Sequence, residues 1–319
     1  MIKLSQVIHY KMNKETIDIL MASYNGARYI KTQILSIIAQ TYQNWRLIIH
    51  DDGSSDDTVE IIKYFCSIDD RIIYMEDGVV LKNAGRHFLY MLKFVEAEYA
   101  CFCDQDDIWL EDKLSQMRSV LIEKDNSKPQ VIFSDAFLYF CDKNEIEGSL
   151  LSARPRVLKD LLFINGGIHG SASMFNKRMV DCINREFSTV EMHDHVLTFV
   201  GCTFGEIDYI EKKLFLYRQH DHNVTGNLSK NKYDRLIKAF KSVSKKYVLS
   251  SCTIDSLRSL YDTYNAELSS NDSVTLDNYF KMLNAHRTKR FILIVKDGYT
   301  IANSRCHLWL KILTRRFFS

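Results

Sequence analysis

The sequence predicts an α/β fold: a mostly parallel sheet with helices on both faces. Short β-prone runs alternate with amphipathic stretches from Thr16 onward, and the densest clusters of acid stand directly after two of those runs. In such sheets ligands bind beyond the carboxyl ends of the strands, where those acids fall.

The first unit is TIDILMASYNGARYIKTQILSIIAQ: a β-run from Thr16, a polar turn at Asn25-Gly26, then Ile30, Ile34, Ile37 and Ile38 at helical spacing. In the second, Leu47–Ile49 is a buried strand and Ser54–Thr58 supplies loop and cap chemistry for the next helix. Residues 71–75 read as a third strand, Arg86–Val95 as a helix, Tyr99–Cys103 as a fourth strand and Trp109–Glu123 as the following helix. Residues 131–140 read as another strand, and Leu158–Asn176 hold a Gly-rich turn (Gly166, Gly167, Gly170) leading into GSASMF. After Asn223 the pattern becomes helical and basic, with a polar loop at Ser269–Asp272.

Charge divides the chain near residue 228. Residues 1–228 carry 25 Lys+Arg against 33 Asp+Glu, whereas residues 229–319 carry 17 against 7. The two expected units are therefore a catalytic domain, 1–228, and a basic, mainly helical extension, 229–319. The acidic balance of the larger part argues against nucleic acid as a partner. Eight cysteines without a CxxC pair, and a start lacking an apolar leader, read as reduced core thiols of a cytoplasmic protein. No GxGxxG, GxxxxGK[ST] or GxSxG occurs, so the usual dinucleotide, P-loop and hydrolase fingerprints are missing.

Residues 103–109, CDQDDIW, crowd Asp104, Asp106 and Asp107 together. At separations of ~4 Å each pair repels by about 4 kcal/mol at an effective dielectric of 20. Such a cluster at a strand end suits Mg²⁺ or Mn²⁺ shared with substrate phosphate; it equally suits a solvated turn capping the next helix. In HDDGSSDDT, residues 50–58, Asp51 and Asp52 would meet a base or ribose, or simply order a turn. MASYNG, residues 21–26, would floor a base pocket.

Taken in order, SYNG, DDGSSDDT, the Asn83–Gly85 segment and CDQDDIW resemble family 2 glycosyltransferases of the GT-A fold, most closely their rhamnosyltransferase-like members. Residues 32–58, TQILSIIAQTYQNWRLIIHDDGSSDDT, match the family pattern of QIxSIxxQTYxNW followed by DDGSxDxT, and the resemblance covers about 16–226. It implies nucleotide-sugar contacts from Ala22, Tyr24, Asn25, Asp51, Asp52, Asn83, Asp104, Gln105 and Arg218. It implies a metal held by Asp104, Asp106, Asp107 and His220, the last in LYRQHDHNVTG, where Asp221 replaces the usual glycine. The acceptor base it implies is Asp194 of EMHDHVLTFVG, although His195-Val196 stand where the pattern favours two tryptophans.

The implied activity is inverting transfer of a sugar, rhamnose from dTDP-rhamnose, to a hydroxyl of a bacterial surface polysaccharide or a polyprenyl-diphosphate-linked precursor. Competing readings are a hexosyltransferase using a UDP-sugar and a non-catalytic nucleotide-sugar-binding partner. A third is a haloacid-dehalogenase-type phosphatase, since Asp104 and Asp106 fit DxDx[TV] up to Ile108. The ending HLWLKILTRRFFS would lie on an anionic membrane as a helix, or pack on the catalytic domain with its basic face in water.

Overall fold

The computed structural model describes residues 16–151, 153–220, 247–301 and 304–318. It opens with strict alternation: β1 (Ile17–Ser23), α1 (Ile30–Ile38), β2 (Trp45–Asp51), α2 (Thr58–Ile68), β3 (Ile72–Met75), α3 (Ala84–Met91) and β4 (Tyr99–Asp104). Then come β5 (Ile108–Trp109), α4 (Lys113–Leu121), β6 (Gln130–Phe140), β7 (Glu145–Glu147), α5 (Leu158–Leu161), β8 (Ser173–Asn176), α6 (Lys177–Ile183), α7 (His193–Phe204) and β9 (Glu206–Gln219). The extension holds β10 (Tyr247–Leu249), α8 (Ser251–Tyr264), α9 (Ser270–Leu283), α10 (Arg287–Asp297), α11 (Arg305–Thr314) and β11 (Arg316–Phe318).

Among the described residues the main sheet runs β3-β2-β1-β4-β8-β6-β9-β5, with β7 beside β6. Its first four strands are mutually parallel. Beyond them the sheet is mixed: β8 is antiparallel to both β4 and β6, whereas β9 returns parallel to β6. Helices flank this sheet. The central strands are apolar for that reason, with Ile19, Met21, Leu47, Ile49, Cys101 and Phe102 all buried. On α1, Ile30, Ile34 and Ile37 form one buried stripe at i, i+4 and i+7, each stabilising the fold by about 1.5–3 kcal/mol.

Register creates the site. Ser23 pairs with Asp51 and Ala22 with Asp104, so the carboxyl ends of β1, β2 and β4 finish level along one rim.

Several expectations are corrected by tertiary pairing. Trp109 does not begin a helix: Ile108 and Trp109 pair with Leu216 and Phe215 of β9, and the Trp109 N–H donates to Ser36 Oγ at 3.0 Å. The helix starts only at Lys113, once those backbone groups are satisfied. Likewise Arg86–Val95 divides into α3 and a 3₁₀ turn at Leu92–Phe94. The polar loop expected at 269–272 ends at Ser269, whose Oγ accepts the Asp272 N–H at 3.1 Å and so starts α9. All eight cysteines are free, but only Cys101 and Cys103 are buried in the core; Cys66, Cys141, Cys182 and Cys202 are half-buried, and Cys252 and Cys306 are exposed.

The extension is built onto the sheet domain. His195 Nδ1 lies 3.1 Å from Ser256 Oγ of α8, and Lys311 Nζ of α11 donates to the Phe163 carbonyl at 2.8 Å. The helix expected over the last residues stops at Thr314, because residues 316–318 pair with β10 as a parallel strand. The boundary expected near 228 lies outside the described residues.

One ion pair ties β1 to its neighbours. Asp18 is fully buried and accepts Arg46 Nε and Nη2 at 2.9 Å, together with the Glu96 and Ala97 N–H groups at 2.8 and 2.9 Å. Asp18→Ala leaves two buried amides without their acceptor and the Arg46 guanidinium with only its exposed partner Glu96, and is expected to destabilise the chain by about 3–5 kcal/mol. The midpoint of urea unfolding checks this; an unchanged midpoint would refute the role given to the pair.

Candidate active site

The loop after β1 is held by hydrogen bonds to polar side chains. Asn25 adopts φ of 45°, a left-handed conformation that asparagine tolerates. Its N–H donates to Ser54 Oγ at 2.7 Å, and its Oδ1 accepts the Ser55 N–H at 2.8 Å. Asp51 spends its carboxylate on the same loop: Oδ1 accepts Ser23 Oγ and Ser54 Oγ at 2.9 and 2.6 Å, Oδ2 the Gly53 and Ser54 amides at 3.0 and 2.7 Å. Asp52 accepts the Leu81 N–H, and Asn83 caps α3 by accepting the Arg86 N–H at 2.9 Å. These expected nucleotide contacts thus shape the rim through their own side chains. Tyr24, by contrast, is 57% exposed beside Ala22 at the end of β1 and presents its ring outward.

Gln105 joins this loop to the acidic one. Its Oε1 accepts the Tyr24 N–H at 3.0 Å and its Nε2 donates to the Tyr24 carbonyl at 2.9 Å. Gly26 makes room for that clamp, since a Cβ there would stand 2.0 Å from Gln105 Oε1.

The acidic cluster divides in two. Asp104 and Asp106 are half-buried at the rim, and His220 Nε2 lies 2.8 Å from Asp106 Oδ2, its ring stacked 4.7 Å from Tyr29. Asp107 is fully buried: Oδ1 accepts the Arg218 N–H at 3.2 Å while Oδ2 has no hydrogen-bond partner. Burial, with Asp106 beside it, pushes the Asp104 carboxyl up to about 7; burial, then Asp106 and Asp104, pushes Asp107 well above the usual carboxylate range. Arg218 braces this turn, with Nε donating to the Asp106 carbonyl at 2.6 Å and the guanidinium 5.0 Å from the Tyr29 ring.

Beneath the cluster lies a cation with no distinguishing signal in the sequence. Lys113, fully buried on α4, donates to the Ser171 carbonyl at 2.5 Å and sits 3.9 Å from the Trp109 ring. Burial draws its pKa down to about 8, against the pull of Cys101, Cys103, Asp107 and Asp104. Only its helical position relative to the acids hints at this role.

Asp194 occupies the first turn of α7, 8% exposed, with Oδ1 lacking a hydrogen-bond partner. Burial and the charge of Asp104 push its carboxyl up to about 7. Glycines bring α7 into place: a Cβ at Gly167 would stand 2.1 Å from the Asp194 carbonyl oxygen, and one at Gly170 2.1 Å from His193 Nε2. The GSAS run is therefore packed rather than open. His193 lies 4.1 Å from the Phe88 ring and 4.6 Å from the Phe102 ring, and burial holds it neutral, its pKa near about 3. His195 and Val196 are wholly buried.

Two half-buried carboxylates with an imidazole are hard-oxygen and nitrogen donors of the kind Mg²⁺ and Mn²⁺ accept. The crowding that raises Asp104 would be relieved by a cation there, so the residues fit one. Among the described residues no three His, Cys, Asp or Glu side chains close around a single point. Asp107 is set back from the rim, its Oδ1 taken by the Arg218 backbone N–H. A cation would therefore rest on one or two carboxylates and complete its shell with phosphate or water.

Comparison with known proteins bears on this rim. The family model for Glycosyl transferase family 2 matches residues 18–183. A dTDP-rhamnosyl transferase, RfbG of Shigella flexneri, is 31% identical over 231 residues, covering 68% of this chain and 78% of that protein. WfgD of Escherichia coli, a UDP-Glc:alpha-D-GlcNAc-diphosphoundecaprenol beta-1,3-glucosyltransferase, is 34% identical over 201 residues, 60% of this chain and 76% of that one. Among solved structures, S. aureus TarS 1-349 in complex with UDP-GlcNAc superposes with a TM-score of 0.54 at 13% identity, covering 83% of this chain and 70% of that one, a likeness of fold.

A buried carboxyl raised from 3.8 to about 7 favours the folded state when protonated and costs stability once ionised. Wild type should therefore lose stability relative to Asp194→Asn as pH climbs from about 4 to about 8. Thermal midpoints across that range check this; a constant gap between the two proteins would contradict it.

Proposed function

The chain belongs to glycosyl transferase family 2 and has the GT-A fold, and from that premise we propose that it is an inverting, divalent-metal-dependent transferase in which Asp194 is the base. It is a glycosyltransferase that uses a nucleotide-sugar donor. The observation that carries the finer reading is the raised carboxyl of Asp194, whose Oδ1 has no hydrogen-bond partner, set within the field of Asp104. A base with a pKa near 7 is matched to taking a proton from a hydroxyl at neutral pH.

On this reading the donor lies along the rim, its base over Tyr24 and its diphosphate toward Asp104 and Asp106. Asp194 Oδ1 accepts the acceptor's hydroxyl proton while that oxygen bonds to the anomeric carbon, and the bond to the nucleoside diphosphate breaks on the opposite side, inverting the centre. Asp104 and Asp106, with His220, would hold Mg²⁺ or Mn²⁺, which when bound neutralises charge on the departing diphosphate. Gln105, Asp51 and Arg218 keep the two loops in register, so the rim is ordered before donor arrives.

The donor in this proposal is dTDP-rhamnose, favoured by the RfbG likeness, and the acceptor is a bacterial surface polysaccharide or its polyprenyl-diphosphate-linked precursor. WfgD favours a second donor, a UDP-hexose. The proposal places the enzyme in the cytoplasm with its thiols reduced, touching an anionic membrane through its extension. Among the described residues no helix is long and apolar enough to cross a membrane.

The test is thermal stabilisation by a panel of dTDP-rhamnose, UDP-glucose, UDP-galactose and GDP-mannose, each with and without Mn²⁺. dTDP-rhamnose is expected to raise the midpoint most, and only with metal; a larger shift with a UDP-hexose moves the donor assignment, and no metal dependence refutes the cation. Asp194→Asn should cut turnover by about 10²–10⁴-fold while donor stabilisation persists. Wild-type turnover should rise with pH toward a plateau above about 7; turnover retained in Asp194→Asn would remove the base.

A further inference from the structure

A groove of about 970 Å³ opens in the extension, far along the chain from the rim, between α10, α11 and β11. Its polar lining holds four arginines, Arg287, Arg290, Arg315 and Arg316, with His286 beside them and no carboxylate. Arg290 is engaged, donating to the Leu283 and Ala285 carbonyls at 2.9 and 3.0 Å behind α9. Among the described residues Arg287, Arg315 and Arg316 form no ion pair, and burial lowers the pKa of Arg315 with no carboxylate opposing it. The apolar lining is Phe291, Ile294, Ile312 and Phe317. A cationic wall over an apolar floor is complementary to an amphiphile with an anionic head.

The two helices that wall the groove also carry exposed apolar side chains. Ile292 and Val295 on α10 are 62% and 54% exposed, and Leu310 and Leu313 on α11 are 40% and 77% exposed. The opposite side of α11 is anchored, with Leu308 buried and Lys311 bonded to the Phe163 carbonyl. The helix thus packs on the sheet domain and still presents apolar side chains outward. Scattered exposed apolar residues are ordinary, but four of them on the two helices that wall a groove holding Arg287, Arg315 and Arg316 have the composition of an interfacial surface.

We propose that this groove binds the phosphate headgroup of an acidic phospholipid, with Ile292, Val295, Leu310 and Leu313 entering the adjoining acyl layer. The inference names the ligand of the membrane contact in the functional reading. It does not depend on which sugar is transferred. Two kinds of contact are required, because arginines alone would hold any phosphate and leucines alone any bilayer. Together they place α10 and α11 flat on an anionic leaflet.

Flotation of the full chain with vesicles of phosphatidylcholine, or of phosphatidylcholine part-replaced by phosphatidylglycerol, tests this. Binding is expected to the phosphatidylglycerol vesicles only, and to weaken with salt. Exchanging the two exposed arginines, Arg287→Gln with Arg316→Gln, should weaken it about fivefold for each, about thirtyfold for the pair. Ile292→Ser with Leu313→Ser should weaken it as well, with melting temperature and donor stabilisation unchanged in both double variants. Equal binding to both vesicle types, or no binding, overturns the proposal. So does phosphatidylglycerol binding that inorganic phosphate abolishes while the Ile292/Leu313 variant binds as wild type, which would mark a soluble-anion site. Because donor stabilisation is read on the same proteins, failure of the headgroup site is distinguishable from failure of the transferase reading.

Discussion

Negative charge withdrawn from water governs this molecule. Asp104, Asp107 and Asp194 are brought together by three elements, the end of β4, the turn after it and the first turn of α7, with Lys113 as a buried cation behind them. Burying ionised carboxylates without enough counter-charge is costly, and the site meets that cost by holding carboxyls near neutrality. A fold under stability selection alone would replace such groups with apolar ones. Their retention at the level rim of a parallel sheet is intelligible if a cation and a diphosphate complete the charge balance in the proposed reaction.

Much of the surrounding structure serves to keep that arrangement rigid. Asp51 is saturated by its own loop, Gln105 clamps Tyr24 by both backbone groups, and Arg218 holds the carbonyl of Asp106. Gly167 and Gly170 allow α7 to approach so closely that any side chain at either position would displace Asp194 or His193. His193 and His195 are buried neutral wedges on either side of Asp194 in sequence, one against Phe88, the other beside Ser256 of the extension. The extension therefore supports α7 as well as carrying its own basic groove.

The alternation of β1 to β4 was legible because its strands are mainly apolar and its helices show clean stripes, as at Ile30, Ile34 and Ile37. The rim acids were legible because they follow those strands directly. What escaped was decided by distant partners. Trp109 lies in a helical-looking run, yet β9, more than a hundred residues on, takes its backbone into the sheet. The antiparallel β8 is four residues long and mixes polar with apolar, so its period is too short to read. Asp51, Asn83 and Arg218 stand where the family pattern puts ligand contacts, and only the coordinates reveal hydrogen bonds that spend their side chains on the scaffold. Lys113 looks like any surface lysine until four neighbouring acids and thiols give it a reason to be inside.

The central claim, that burial holds the carboxyls of Asp104 and Asp194 near neutrality until a cation and a diphosphate arrive, is most directly tested by carbon-13 NMR of aspartate-labelled full chain. Their carboxyl resonances, assigned with Asp104→Asn and Asp194→Asn, would be titrated with pH before and after addition of Mg²⁺ and a nucleoside diphosphate. The account predicts two carboxyls titrating near about 7 in the free protein, with Asp104 falling back toward the ordinary range of 3.8 once both additives are present. Midpoints near 3.8 in the free protein, unmoved by metal and nucleotide, would contradict it.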